Sequence, residues 1–256
     1  MHLSNSMNKP QVVGILGGMG PAAGVDLARL FVRACADHMR ARGQIVSDQG
    51  FPEHWLAQVP VPDRSTALDS PGFGVHQPLE PMLQALGKLA ALGATTVAVA
   101  CNTAHAWHGA LQERFPQLEL LHVAREVAVS LANRGVREVG LLATAGTYRA
   151  GLYDLALRAA GVQCHIPQPD EQDALMHGIY HGVKVGNMAL AHTIFTQVAG
   201  ALARRHDLST LVLGCTEIPL AIESVPGLDA LTLLDPAVML ARALAQRAYG
   251  AKDRIF

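Results

Sequence analysis

Charge is scarce in this 256-residue chain: Asp, Glu, Lys and Arg make up 16% of it, with 20 basic side chains against 21 acidic ones. A balance that close supplies no electrostatic footprint for nucleic acid or an anionic membrane, so neither is expected as a partner. Aromatic residues are few, at 5%, and Trp55 and Trp107 read as packing residues rather than stacking platforms. Four cysteines do not make a disulfide scaffold in a chain this long. They point to free thiols in a reducing, cytoplasmic compartment. The opening MHLSNSMNKP lacks the basic start and apolar run of a signal peptide. Apolar stretches break at Gly, Pro, His or charge well short of the roughly 18 residues of a membrane helix. Neither a P-loop nor an acidic cluster for a divalent metal is found. A soluble enzyme is expected, long enough for one large domain or two small ones.

What is present is alternation. A strand over Val12–Leu16 runs into Gly17-Gly18-Met19-Gly20-Pro21, where Pro21 suits the first turn of a helix over 22–42. A second strand is expected at Gln44–Ser47, then a long loop over 50–76 punctuated by Pro52, Pro60, Pro62, Pro71, Gly72 and Gly74. Helix 77–92, strand Thr95–Ala100, helix 106–115, strand Glu119–Val123 and helix 124–134 follow. The second part opens with strand Glu138–Ala143, a turn at Thr144–Thr147 and helix 148–160. Strand Val162–Ile166, a long helix over 171–205, strand Thr210–Leu213, a short strand near Leu231–Leu234 and a helix from Pro236 complete it. Such alternation argues for an α/β fold with parallel sheets covered by helices.

A strand plus Gly-rich turn occurs twice, and so does an apolar strand ending in cysteine, in the same order. Two similar α/β halves facing each other is the economical reading. Ligands in open parallel sheets bind beyond the carboxyl ends of the strands. Cys101 and Cys215 both stand at such ends, so one cleft would hold both. Cys35 and Cys164 read as buried small hydrophobes.

A pair of strand-end thiols has several uses. Metal binding lacks close C-x-x-C spacing, and a disulfide is unusual in a reducing compartment. Acid–base work is open, with one thiolate removing a proton while the opposite thiol supplies one. Nucleophilic catalysis by either cysteine with His105 is open too. Backbone amides at a helix start can lower a thiol pKa from about 8.5. Gly18-x-Gly20-x-x-Ala23 formally fits a permissive dinucleotide pattern, but the acidic residue expected about 20 positions on is not clearly present. The firmer inference is a tight turn and a helix start able to hold an anion. Arg64, in PVPDRS, is a candidate carboxylate clamp because its donor fork suits bidentate pairing. Lys184, inside GIYHGVKVGN, is a second candidate cation.

With those positions in view, the chain resembles the aspartate/glutamate racemase superfamily, and within it the cofactor-independent aspartate racemase branch. The marks are GILGGMGPAA at 14–23, SDQ at 47–49, PDRS at 62–65, ACNTAH at 100–105, GLLATAGT at 140–147, IYHGVKVG at 179–186 and LGCTEIPL at 213–220. The resemblance implies two α/β domains related by a pseudo-twofold, with the active site between them. The first domain would be 11–123 plus the returning helix 236–250, and the second 124–235. It implies no cofactor and no metal, an acidic amino acid as substrate, and a homodimer. Cys101 and Cys215 match the two catalytic cysteines, the first acting on the D substrate and the second on the L. Arg64 and Lys184 match residues holding the side-chain carboxylate. Asn102, Thr103 and Thr216 match the region binding the α-carboxylate and amino group. Met19 and Gln49 lie at matching pocket positions, and Glu217 adjoins the second thiol. Thr147, in the second Gly-rich turn, is a further substrate-binding candidate because that turn too could hold an anion.

Three departures bear on the substrate. The branch commonly has DQDH where this chain has Asp48-Gln49-Gly50-Phe51, a change expected to reshape the pocket. Ser65 and Gly24 each stand where threonine is usual. Aspartate is preferred over glutamate or a broader amino-acid range. Maleate isomerase or arylmalonate decarboxylase chemistry, and a non-catalytic ligand-binding relative, are the competing readings.

Overall fold

The computed structural model describes residues 10–69 and 78–250. The polar lead-in before Pro10, and Pro71, Gly72 and Gly74 of the expected loop, lie outside the described residues. In the first half, β1 (Val13–Gly17) and β3 (Thr96–Val99) are buried at every position, because each has strands on both sides. Helices α1 (Pro21–Ala41) and α3 (Leu79–Ala91) flank them. The sheet is completed by β2 (His54–Gln58) and β4 (Glu119–Leu120), in the order β2-β1-β3-β4. Two short helices, α2 (Arg64–Asp69) and α4 (His108–Arg114), lie in the connections. Every pairing is parallel, which explains the unbroken apolar runs of the inner strands.

The second half repeats this plan. After α5 (Val123–Asn133) come β5 (Glu138–Ala143), α6 (Ala145–Arg149), α7 (Leu152–Ala159) and β6 (Gln163–His165). Then follow α8 (Pro169–His177), α9 (Met188–His206), β7 (Thr210–Gly214) and β8 (Thr232–Leu234). Its sheet order, β6-β5-β7-β8, matches that of the first half, and its pairings are again parallel. The protein thus consists of two similar α/β units with parallel sheets packed by helices.

The last helix, α10 (Pro236–Ala248), is started by Pro236 and by Asp235, whose carboxylate accepts from the Ala237 amide at 2.8 Å. It lays Leu240, Ala241, Leu244, Ala245 and Ala248 against Val13, Ile15, Phe31 and Ala98 of the first half. It also packs on α5, so one helix touches both halves. Among the described residues no helix is long and apolar enough to cross a membrane.

Three expectations are corrected. Gln44–Ser47 is not a strand, and the second strand of the sheet is His54–Gln58, inside the stretch read as loop. This strand lies at the sheet edge with half-exposed residues between Pro52 and Pro60, so neither burial nor period marked it. The long helix over 171–205 is broken: a π turn (Gly178–Gly182) and a 3-10 turn (Val183–Val185) separate α8 from α9. Gly178 and Gly182 permit the break, since a Cβ at either would stand 2.6 Å from the Phe195 ring or 2.8 Å from the Ala191 Cβ. The expected turn at Thr144–Thr147 starts a helix instead, with Thr144 as its cap, and Gly151 at φ 60° parts α6 from α7.

Candidate active site

Each half delivers its cysteine by the same device. Leu16 of β1 pairs with Val99 of β3, two residues before Cys101, and Ala143 of β5 pairs with Gly214 of β7, one residue before Cys215. In both sheets the strand order turns at this point, where α/β folds leave a crevice. The two crevices merge into one pocket lined by both cysteines. Nine residues expected at the site stand in its wall: Met19, Arg64, Cys101, Asn102, Thr103, Lys184, Cys215, Thr216 and Glu217. The thiols are 7% and 5% exposed, and the free volume between the walls is about 20 Å³, roughly one water molecule. An amino acid enters only if the walls move apart.

The turn after β1 is built for close approach. Gly18 has φ 96°, and a Cβ there would fall 2.1 Å from the Val59 carbonyl oxygen. Met19 is thereby held in the wall, where its carbonyl accepts from Arg64 Nη2 at 2.6 Å. Arg64 also donates Nη1 to the carbonyls of Val61 and Pro62, each at 3.0 Å. Its buried Nε has no hydrogen-bond partner among the described residues. Three of its five N–H donors thus go to backbone, and the guanidinium also pairs with the Cys101 thiol. Lys184 approaches from the second half, its Nζ 4.1 Å from the Tyr180 ring centre.

The two thiols have different electrostatic surroundings. Burial pushes the Cys101 thiol up, the Arg64 charge and the Ala104 amide work against it, and the Glu217 charge adds a smaller upward push. Burial pushes Cys215 well up, and the Glu217 carboxylate pushes it further. Cys215 Sγ donates to Glu217 Oε2 at 3.0 Å, and Thr216 Oγ1 donates to the same oxygen at 2.9 Å. The amide effect expected of a helix start is present at Cys101, but desolvation exceeds it. Cys35 and Cys164 are each pushed to about 12 by burial, and all four thiols are free.

Behind the wall, hydroxyls and one phenol fix the polar groups. Thr103 Oγ1 lies 2.9 Å from Thr144 Oγ1 and 3.0 Å from Thr147 Oγ1, joining the halves. Gly146 makes this approach possible, since a Cβ there would meet Ser65 Oγ and Thr103 Cγ2, each at 2.9 Å. Tyr153, on α7, donates its hydroxyl to Asn102 Oδ1 at 2.5 Å in a fully buried contact. No local pattern pointed to Tyr153, because its partner is 51 residues away. His105 is buried, with Nδ1 2.9 Å from the Cys101 carbonyl and Nε2 3.3 Å from that of Leu121. Burial lowers its pKa to about 4, so it is a neutral scaffold group and its ring nitrogens do not face a thiol.

Two expected residues stand off the wall. Thr147 is buried behind Thr103, and Gln49 is exposed in a 3-10 turn (Asp48–Gly50). Gly50 and Phe51, expected to reshape the pocket, do not line it either. A Cβ at Gly50 would meet Met39 Sδ at 2.7 Å, and Phe51 packs on the core under α1 and α10. Their physical effect is on helix packing. Gly24 is explained by Gln58, whose Oε1 would stand 2.5 Å from a Cβ there. The wall further contains Asp63, Ser65, Thr144, Ile179 and Tyr180. Of these, Asp63, Ile179 and Tyr180 lay within quoted motifs without being singled out. Among the described residues no three His, Cys, Asp or Glu side chains gather as a metal site.

The sequence profile of the Asp/Glu/hydantoin racemase family matches residues 16–244. The fold is similar to that of the Picrophilus torridus aspartate racemase, with a TM-score of 0.74, 28% identity and 94% of each chain covered. A glutamate racemase from Ectopseudomonas mendocina is 35% identical over 174 residues, 64% of this chain and 62% of that protein. The broad specificity amino-acid racemase RacX of Bacillus subtilis is 20% identical over 243 residues, covering 91% of this chain and 96% of that one. The match to the glutamate racemase thus spans about three fifths of the relative's length.

Proposed function

The chain belongs to the Asp/Glu/hydantoin racemase family, and on that premise we propose that it interconverts L- and D-aspartate by a two-thiol proton transfer without pyridoxal phosphate. The observation that carries this is the meeting of Cys101 and Cys215, from equivalent strand ends, in one pocket that also holds Arg64 and Lys184. Starting from D-aspartate, the Cys101 thiolate removes the Cα proton and becomes a thiol. The carbanion takes a proton from the Cys215 thiol on its other face, which leaves Cys215 as thiolate. The product is L-aspartate, and the pair is set for the reverse reaction. Two opposed groups spare a single base from swinging around the substrate.

Charge that develops on the α-carboxylate in this reaction needs fixed donors. Asn102 and Thr103 supply amide and hydroxyl donors at the wall, and Arg64 and Lys184 supply positive charge for the side-chain carboxylate. The pull of Arg64 on Cys101 and the push of Glu217 on Cys215 favour one resting pattern, with Cys101 the thiolate and Cys215 the thiol. Aspartate is the preferred substrate because of the similarity to the Picrophilus torridus enzyme. Glutamate is the second reading, favoured by the 35% identity to a glutamate racemase. A cytoplasmic homodimer completes the proposal.

The test is Cα–H exchange of L- and D-aspartate in D2O, with reductant and no added cofactor, and glutamate run in parallel. Deuterium at Cα with formation of the opposite enantiomer, abolished in Cys101→Ser and in Cys215→Ser, is the expected result. Exchange with retained configuration leaves a single working base and rejects the paired mechanism. Exchange of glutamate alone moves the substrate assignment. No exchange of either acid overturns the reading and directs assays to maleate and malonates.

A further inference from the structure

Two wall residues have no part in the proton transfer, yet they span the cleft. Tyr180 belongs to the π turn of the second half, and its hydroxyl donates to Asp63 Oδ2 at 2.5 Å. Asp63 belongs to the first half, immediately before Arg64. The other carboxylate oxygen of Asp63 is already committed, accepting from the Thr66 amide at 2.8 Å and so fixing the first turn of α2. Burial pushes the Asp63 carboxyl up but is outweighed by the Thr66 amide, the Tyr180 hydroxyl and the Arg64 charge, which hold it below its ordinary value. The acceptor is therefore an anion, and such hydrogen bonds are stronger than neutral ones.

The same tyrosine has a second contact. Lys184, four residues on, sets its ammonium 4.1 Å from the centre of the Tyr180 ring, within range of a cation–π attraction. The broken helix makes this possible: Gly178 and Gly182 let the π turn fold tightly on α9, which brings Tyr180 and Lys184 into the wall together. The pocket is nearly closed, with room for about one water molecule, so any larger ligand must part the walls to enter. The Asp63–Tyr180 bond lies across the two walls that must part.

We propose that Tyr180 is a positioning residue that latches the cleft through Asp63 and carries Lys184 on its ring, so that closure and placement of the cation are one event. Only the role of Lys184 toward a substrate carboxylate rests on the racemase reading; the latch itself is a statement about the protein alone.

The test separates the two. Tyr180→Phe keeps the ring and removes the hydroxyl. Asp63→Ser keeps a cap for the Thr66 amide and cannot reach Tyr180. Alkylation of Cys101 and Cys215 by iodoacetamide, followed by mass spectrometry without substrate, reads opening directly, with the partly exposed Cys164 as internal control. Each single variant is expected to speed alkylation of both pocket thiols by about tenfold, the scale of a charged hydrogen bond. The double variant should go no faster than either single one, because both remove the same bond. Unchanged alkylation in Tyr180→Phe, or effects that multiply in the double variant, overturn the latch. Tyr180→Leu, which also removes the ring, is expected to raise KM for aspartate further than Tyr180→Phe does. Equal KM in those two variants overturns the placement of Lys184. If the wild-type protein exchanges no amino acid, the racemase reading fails and the alkylation result still decides the latch.

Discussion

Cys215 Sγ donates its proton to Glu217 Oε2 at 3.0 Å, while the equivalent thiol, Cys101, answers to the positive charge of Arg64. Equivalent strand ends thus carry chemically unequal thiols. The inequality follows from short-range sequence, Thr216-Glu217 after one cysteine and Asn102-Thr103 after the other, together with one cation from a distant helix.

The first prediction concerns this pair. Glu217 raises the Cys215 pKa by charge and by accepting its proton, so Glu217→Gln removes the charge and should let Cys215 ionise at lower pH. Turnover of the L enantiomer, which needs Cys215 as thiolate, should then gain its basic-limb rate at lower pH. Turnover of the D enantiomer should move less. Initial rates from each enantiomer across pH check this, and equal shifts for both would count against the assignment.

Tyr153 supports a second prediction. Its hydroxyl is the donor to Asn102 Oδ1, and that contact fixes the Asn102 carbonyl so that its amide is left for the pocket. Tyr153→Phe strands a buried acceptor, at a cost of roughly 1–3 kcal/mol in stability. It also frees the amide to turn, and kcat/KM should fall about tenfold for both enantiomers. A denaturant melt beside the racemisation assay separates the two effects.

Much of this site was legible in sequence. A strand that ends in cysteine and passes into polar residues has one geometric outcome in a parallel sheet, so Cys101 and Cys215 could be placed without coordinates. Arg64 was legible as a charge in a functional loop. Lys184 was legible only as a type, because the break that turns it into the wall depends on Phe195 and Ala191 pressing against glycines. The edge strand His54–Gln58 was hidden by its exposure and its flanking prolines. Gly50 and Phe51 misled for the opposite reason: proximity to a motif suggested the pocket, whereas their contacts are with Met39 and the core under α1 and α10. Tyr153 needed the fold itself.

Gly146 provides the third prediction. With Ser65 Oγ and Thr103 Cγ2 at 2.9 Å from where its Cβ would be, and Ser65 Cα at 3.0 Å, Gly146→Ala must push the halves apart. Overpacking of this kind costs about 1–3 kcal/mol. The Thr103–Thr144 and Thr103–Thr147 contacts should loosen. A lower Tm together with reduced kcat is expected, and a variant that melts and turns over like wild type would refute the tight contact.

Asp235 gives a prediction about pH and stability. Burial raises its carboxyl from an ordinary value of 3.8 to about 6, against the opposing pull of the Ala237 amide. The folded protein binds this proton more tightly than the unfolded chain, so stability falls as pH rises through that interval and stays lower above it. Asp235→Asn keeps the cap on α10 and removes the ionisation. Its gain over wild type should be small near pH 4 and grow to at most about 3 kcal/mol above pH 7. Paired thermal melts at pH 4 and pH 8 check the sign.

Helix α10 has a consequence for how the protein is made. The apolar face of β1 and β3 that it covers is synthesised early, and α10 itself emerges from the ribosome only after all of β5 to β8. Val13, Ile15, Phe31 and Ala98 therefore wait, covered only in part by α1, through translation of the second half. Maturation cannot proceed one unit at a time from the amino end, and nascent chains stalled before Leu240 should expose a surface that chaperones recognise.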